Sequence, residues 1–316
     1  MGIKCILLAL LMGPCLVQGQ AKQRLIFNSD VSSRDSELYS INADGTGLRQ
    51  LTFDAVSRRG NDGGQVSPDG KYITFATYKY GGWKVALAKS DFTGQKKWTK
   101  GPQYTWGAAW APNSKSLVYN KVATKSPPYF DGDAEIFRMN LDGSGDTNLT
   151  RTKGLDHSPT WSPDGKKIVF FSDRDGSLDI FTMDPDGRNQ VNLTNTPDID
   201  EFAPCWSPDS KRIAYHHMPK GKGKRYIDTY SMDADGKNRV NLTGNQSAKR
   251  NLYTPYYPGA LPIYGYQTAW SPDGGEIAYA SRRTGNFELF LVRADGRGIR
   301  QLTTNGGINM YPHWVD

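Results

Sequence analysis

Two carboxylates and a concentrated set of basic and aromatic side chains are the residues of this 316-residue chain best suited to binding chemistry. Asp156 and Glu201 each stand three positions before a proline, Pro159 and Pro204, that opens a Trp-bearing segment. The same offset in related segments selects Asn61, Thr105, Gly265 and Asn309. Oxygen donors at equivalent places could hold calcium or another hard cation, or the basic group of a peptide. The second set is Lys222, Arg225, Arg250, Tyr253, Tyr256, Tyr257 and Tyr264, spread among glycines and prolines. Tyrosine with arginine is the usual composition of a binding hot spot, while a charge run in a loop also serves as plain solvated surface.

Catalytic constellations are thin. The four histidines show no metal-site spacing, and no His-Glu-x-x-His, Gly-x-Ser-x-Gly or phosphate-cradling glycine loop occurs. His157 and His313 adjoin Trp-bearing segments, whereas His216 and His217 end a strand candidate. Asp184 to Gly187 and Asp233 to Gly236 open like calcium loops, yet Asn195 and Gly244 stand where the twelfth-position Glu belongs. Cys205, beside a Trp, reads as a small buried apolar group. Nothing here demands an enzyme.

The elements that must position these residues are repeats. The best-formed unit runs Pro159-Thr160-Trp161-Ser162-Pro163-Asp164-Gly165, then Ile168 to Phe171, Asp179 to Met183, Asp186-Gly187 and Leu193-Thr194. Related units begin near Val66, Trp110, Trp206 and Trp270. Pro68 to Pro112 is 44 residues and Pro163 to Pro208 is 45, the roughly 40–45 residue period of propeller blades. Each unit offers four short strand candidates, which is one blade. The first unit begins at its second strand, Leu25-Ile26-Phe27, and Tyr311-Pro312-His313-Trp314 is a first strand with no unit after it. The expectation is therefore an all-β, six-bladed β-propeller of four-stranded antiparallel blades, closed by the carboxyl-terminal strand joining the amino-terminal blade.

The recurring Pro-x-Trp-Ser-Pro-Asp-Gly-Lys-x-Ile, with Ser-x-Arg-x-Gly at Ser172 to Gly176 and Met-x-x-Asp-Gly at Met183 to Gly187, resembles the WD-like propeller repeat of the TolB family. That resemblance implies a TolB-like propeller without the amino-terminal α/β domain that TolB carries. Similar propellers cap prolyl oligopeptidase-like peptidases, but no hydrolase domain is expected beyond Trp314.

Residues 1–19 read as a secretory leader, with a basic start, an apolar Ile6 to Met12 and Gly19 at its end, leaving 20–316 as one propeller domain. The apolar run is too short to span a membrane, so the protein is expected to be exported, periplasmic or extracellular. Only Cys205 would remain after cleavage, so no internal disulfide can form. A net charge of +7 and a pI near 9.1 favour an acidic protein partner or an acidic glycan; without a recognisable motif, nucleic acid is not expected.

In a four-stranded meander the Ser-Pro-Asp-Gly and Asp-Gly turns share one face of the ring. The departures from the repeat, Lys121 to Ala134, His216 to Thr229 and Gly244 to Gly265, share the other. The expected function is a monomeric, non-catalytic protein-interaction scaffold working through that loop-bearing face. A polysaccharide-binding or polysaccharide-cleaving propeller is the alternative.

Overall fold

The computed structural model describes residues 23–32, 35–56, 60–122, 134–221, 226–244 and 266–315. These form six separate four-stranded antiparallel sheets arranged as the blades of a ring. Blade II shows the plan: strands Asn61–Val66, Tyr72–Thr77, Lys84–Lys89 and Lys96–Lys97 follow one another as a meander from the innermost to the outermost. The inner strands of blades III to VI are Thr105–Trp110, Asp156–Trp161, Ile199–Trp206 and Thr268–Trp270.

Blade I is assembled from both ends of the chain. Its inner strand, Met310–Val315, pairs antiparallel with Arg24–Ser29, setting Leu25 opposite Trp314 and Ile26 opposite His313. The expected closure is what the structure contains, and it leaves no open edge at the ring's junction.

The alternating strands bury both faces, because each blade is covered by its two neighbours. Ile168, Val169, Phe170 and Phe171 in the second strand of blade IV are all fully buried, which explains an unbroken apolar run where a half-exposed strand would alternate. Two of the Trp residues that end inner strands reach back to the preceding blade: Trp110 Nε1 donates to the Gln65 carbonyl at 3.1 Å and Trp314 Nε1 to the Ala269 carbonyl at 3.0 Å.

The turns between first and second strands follow one pattern. In blade IV Gly165 N–H bonds the Ser162 carbonyl at 2.8 Å, and Ser162 Oγ donates to Asp164 at 2.7 Å. Gly165 has φ of 73°, the left-handed conformation that glycine adopts at least cost. In blades III and V a serine takes that position, with φ of 57° at Ser114 and 60° at Ser210. Their hydroxyls accept the backbone N–H of Asp69 and Asp164, each at 3.1 Å, tying blade III to II and blade V to IV. The Gln23 side chain hydrogen-bonds Asp273, tying blade I to VI.

Candidate functional site

The described residues picked out by the offset of three before each proline equivalent stand at or beside the starts of the inner strands, inside the seams between blades. Asn61, Thr105, Asp156, Glu201 and Asn309 are each 0% exposed. The Thr of each Leu-Thr pair builds the surrounding joint by accepting a backbone N–H from its own third strand. Leu38 donates to Thr52 at 2.9 Å, Ile180 to Thr194 at 2.9 Å and Leu289 to Thr303 at 2.9 Å. The Thr hydroxyl then donates to the acid that begins that strand, as Thr150 does to Glu135 at 2.6 Å. The following blade completes the joint, Asn61 donating to Glu37 and Asn309 to Glu288, each at 2.9 Å. Burial pushes the Glu201 and Glu288 carboxyls upward, opposed by these hydroxyl donors.

Asp156 and Glu201 are held by different cations. Asp156 accepts from Arg174 at 2.6 Å and from Thr152 Oγ1 at 2.8 Å. Glu201 accepts from Thr196, with Arg239 at 3.8 Å. Among the described residues no three His, Cys, Asp or Glu side chains gather as a metal-ligand set. Gly265 lies outside the described residues.

Blade II departs from the rule of an acid beginning the third strand. Lys84, 2% exposed, takes that place and donates Nζ to the carbonyls of Gly101, at 3.0 Å, and Gln103. Burial, with Lys97 and Lys121 nearby, lowers its pKa to about 8. Where the strand begins with an acid, the following connection offers an N–H instead, as Thr196 does to Asp179 at 3.0 Å. Charge sign and peptide orientation invert together.

Closer to the axis, the inner strands bulge at a residue in the left-handed region: Gly63, Gly107, Ser158, Ala203 and Tyr311. Ser158 receives a 3.5 Å contact from Gln267 Nε2, a side-chain bridge from blade VI to blade IV that passes blade V. His157 stands beside Ser158 with Nδ1 at 2.8 Å from its Oγ. Trp106 Nε1 can only donate, and it does so to His157 Nε2 at 2.7 Å. The His157 proton is therefore on Nδ1, pointing at the serine, and the imidazole cannot take the serine's proton. Burial lowers His157 to about 3 and His216 and His313 to about 4, so all three are neutral. Burial likewise raises the Cys205 thiol to about 11 and keeps it from being a nucleophile. Among the described residues near the axis, Ser158 and His157 do not form a nucleophile and base pair.

At the opposite end from the tight turns, the connections between second and third strands of blades II, IV and VI carry cations. Lys79 pairs with Asp54 at 2.6 Å, and Arg174 with Asp156. Arg174 also lies over the Phe170 and Phe181 rings, at 5.3 and 4.7 Å. Arg283 lies in the same way over Tyr279 and Phe290, at 5.6 and 5.1 Å. An open cleft of about 350 Å³ on this end is lined by Thr284, Asn286, Glu288, Gln301 and Gly306. The predicted binding residues Lys222, Arg225, Arg250, Tyr253, Tyr256, Tyr257 and Tyr264 lie outside the described residues. Sequence reading singled out the Ser-x-Arg at 172–174 as part of the repeat but missed its recurrence as Thr77-x-Lys79 and Ser281-x-Arg283.

The TolB β-propeller domain profile matches residues 128–255. The chain is 34% identical over 153 residues to the TolB homolog of Chlorobium chlorochromatii, covering 48% of this chain and 31% of that protein. It is 33% identical over 167 residues to the homolog of Chlorobium luteolum, covering 50% and 35%. The fold is similar to crystalline TolB from Acinetobacter baumannii, with a TM-score of 0.73 at 21% identity, across 92% of this chain and 66% of that one. The chain is a TolB-like propeller protein. Its matches span about a third of the length of the two Chlorobium relatives. The TolB-like ring is also similar to an oligogalacturonate lyase solved in complex with manganese, at TM-score 0.58 and 16% identity over 85% of each chain. That second likeness concerns the fold alone. Among the described residues of the TolB-like propeller, no helix is long and apolar enough to cross a membrane.

Proposed function

We propose that this TolB-like propeller is an exported interaction scaffold that binds a protein partner through the end of the ring opposite its Ser-Pro-Asp-Gly turns. The observation that carries the reading is the asymmetry of the connections. The turn end is closed by short, internally hydrogen-bonded turns, several of them tied to the next blade. The departures from the repeat, Lys121 to Ala134, His216 to Thr229 and Gly244 to Gly265, fall at connections between second and third strands or between blades, which belong to the other end. Longer connections grouped on one end of a rigid scaffold are the usual place for recognition. The proton-locked His157, the buried neutral His216 and His313 and the buried thiol favour binding over turnover. The likeness to TolB proteins is consistent with a protein ligand.

Capture of partners from an envelope extract tests the reading, comparing the wild-type chain with Arg250→Glu and Tyr257→Ala. Loss of capture in both variants is expected; capture unchanged by both overturns the proposed face. The polysaccharide alternative rests on the tyrosines and cations of the sequence, which also suit acidic sugars, and release of unsaturated products from polygalacturonate would favour it instead.

A further inference from the structure

Arg283 holds in blade VI the position of Arg174 in blade IV and Lys79 in blade II. In all three the cation stands two residues after a hydroxyl side chain that accepts the cation's own backbone N–H at 3.3 Å, from Thr77, Ser172 and Ser281. Two of the three are neutralised, Lys79 by Asp54 and Arg174 by Asp156, each at 2.6 Å. Arg283 is stacked on its two rings without an ion-pair partner among the described residues.

The repeat itself shows what is missing. Around Arg174 the guanidinium has three acceptors, Ser172 Oγ at 2.9 Å, Gln190 Oε1 and Asp156 Oδ1 at 2.6 Å. Counting back from Leu193 and Leu302, the counterpart of Gln190 is Ile299; the counterpart of Asp156 is Gly265, which has no side chain to offer. Among the described residues Arg283 keeps only Ser281 Oγ as an acceptor for its guanidinium, at 3.3 Å. The acid on the neighbouring blade, Asp228, is 4% exposed, accepts from Asn241 at 3.3 Å and is not an ion-pair partner of Arg283. A planar, half-buried guanidinium stacked over two rings, with its Nε on Ser281 Oγ, is prepared for a bidentate carboxylate.

We infer that Arg283 anchors a carboxylate from an acidic segment of a partner protein, which docks on it as Asp156 docks on Arg174. This rests on the protein-binding reading above, and the net charge of +7 favours an acidic partner.

The probe is N-acetylated hexaglutamate, titrated into protein labelled at arginine Nε and followed by NMR, with hexaglutamine and trigalacturonate alongside. The expected result is a shifted Arg283 Nε resonance, binding weakened about tenfold by Arg283→Gln and only partly by Arg283→Lys, and no binding of hexaglutamine. Arg188→Gln, an 80% exposed arginine at the turn end, is the control. Equal weakening by Arg188→Gln would mean a general charge effect and overturn the site. Binding of trigalacturonate without hexaglutamate would overturn the peptide assignment. Arg283→Gln is expected to melt at the wild-type temperature; if it does not, the Arg283→Lys titration decides. In the extract experiment, a partner captured equally by wild type and Arg283→Gln removes Arg283 and leaves the scaffold intact. Absence of capture by the wild type, with the hexaglutamate contact present, removes the scaffold reading alone.

Discussion

Arg174 reaches into the fold to meet Asp156 at 2.6 Å, the arginine side chain 14% exposed and the carboxylate not exposed at all. The two are separated by 18 residues and lie in one blade, so the pair fixes the connection after the second strand against the start of the inner strand. A carboxylate taken this far from water is tolerated because Arg174 and Thr152 both donate to it.

Arg174→Met should therefore cost about 3–5 kcal/mol in urea unfolding, the usual penalty for stranding one member of a buried pair. The double variant Asp156→Asn with Arg174→Met should cost clearly less. If single and double variants lose the same stability, the arginine acts through its packing over Phe170 and Phe181 instead.

Lys84 offers the opposite experiment, because every other blade places an acid at its position. Lys84→Glu, which would bring blade II into line with the rest, should be the more damaging change. Its oxygens would face the carbonyls of Gly101 and Gln103, costing about 3 kcal/mol or more, against roughly 1–3 for Lys84→Met. Thermal melts showing Lys84→Glu as the milder variant would mean that the connection can turn its peptides over.

Asp62 is the group from which pH dependence is expected. Burial pushes its carboxyl from an ordinary 3.8 up to about 7, against the opposing pull of the Ser36 hydroxyl. A raised folded-state pKa favours the protonated form, so its stabilising contribution is full below about pH 4 and is lost as pH rises through about 7. Asp62→Asn should melt higher than wild type at pH 8 and lose that advantage by pH 4. Parallel melting curves across the interval would exclude Asp62 as the source.

The two tryptophans that close blades I and V should respond differently to loss of the indole N–H. Trp314→Phe strands the Ala269 carbonyl and should cost about 1–3 kcal/mol. Trp206 Nε1 has no acceptor, so Trp206→Phe deletes an unsatisfied donor and should cost less. Guanidinium unfolding of both variants is the measurement, and equal losses would show that packing volume governs both sites.

The blades were legible because a Trp, a Ser-Pro-Asp-Gly turn and a Leu-Thr recur at blade spacing, and Tyr311 to Trp314 gave away the closure. The offset that grouped Asn61, Thr105, Asp156, Glu201 and Asn309 also identified true structural equivalents, the first residues or near-first residues of inner strands. Their burial was not legible, because the groups that enclose them, Thr152 and Arg174 around Asp156, come from separate connections whose meeting no local pattern encodes. Arg283 was hidden for a different reason: it looks like an ordinary repeat residue until its two lost acceptors are compared with those of Arg174.

The serines at 114 and 210 have a consequence for the ring as a whole. With Gln23 and Asp273 they join blades II to III, IV to V and VI to I at the turn end. The ring-stacked or paired cations Lys79, Arg174 and Arg283 stand on the even-numbered blades, at the opposite end. The chain is spelled in single blades, yet this turn-end clasp recurs at every second joint, so a threefold pattern of serine and glutamine fastenings is laid over a six-part ring.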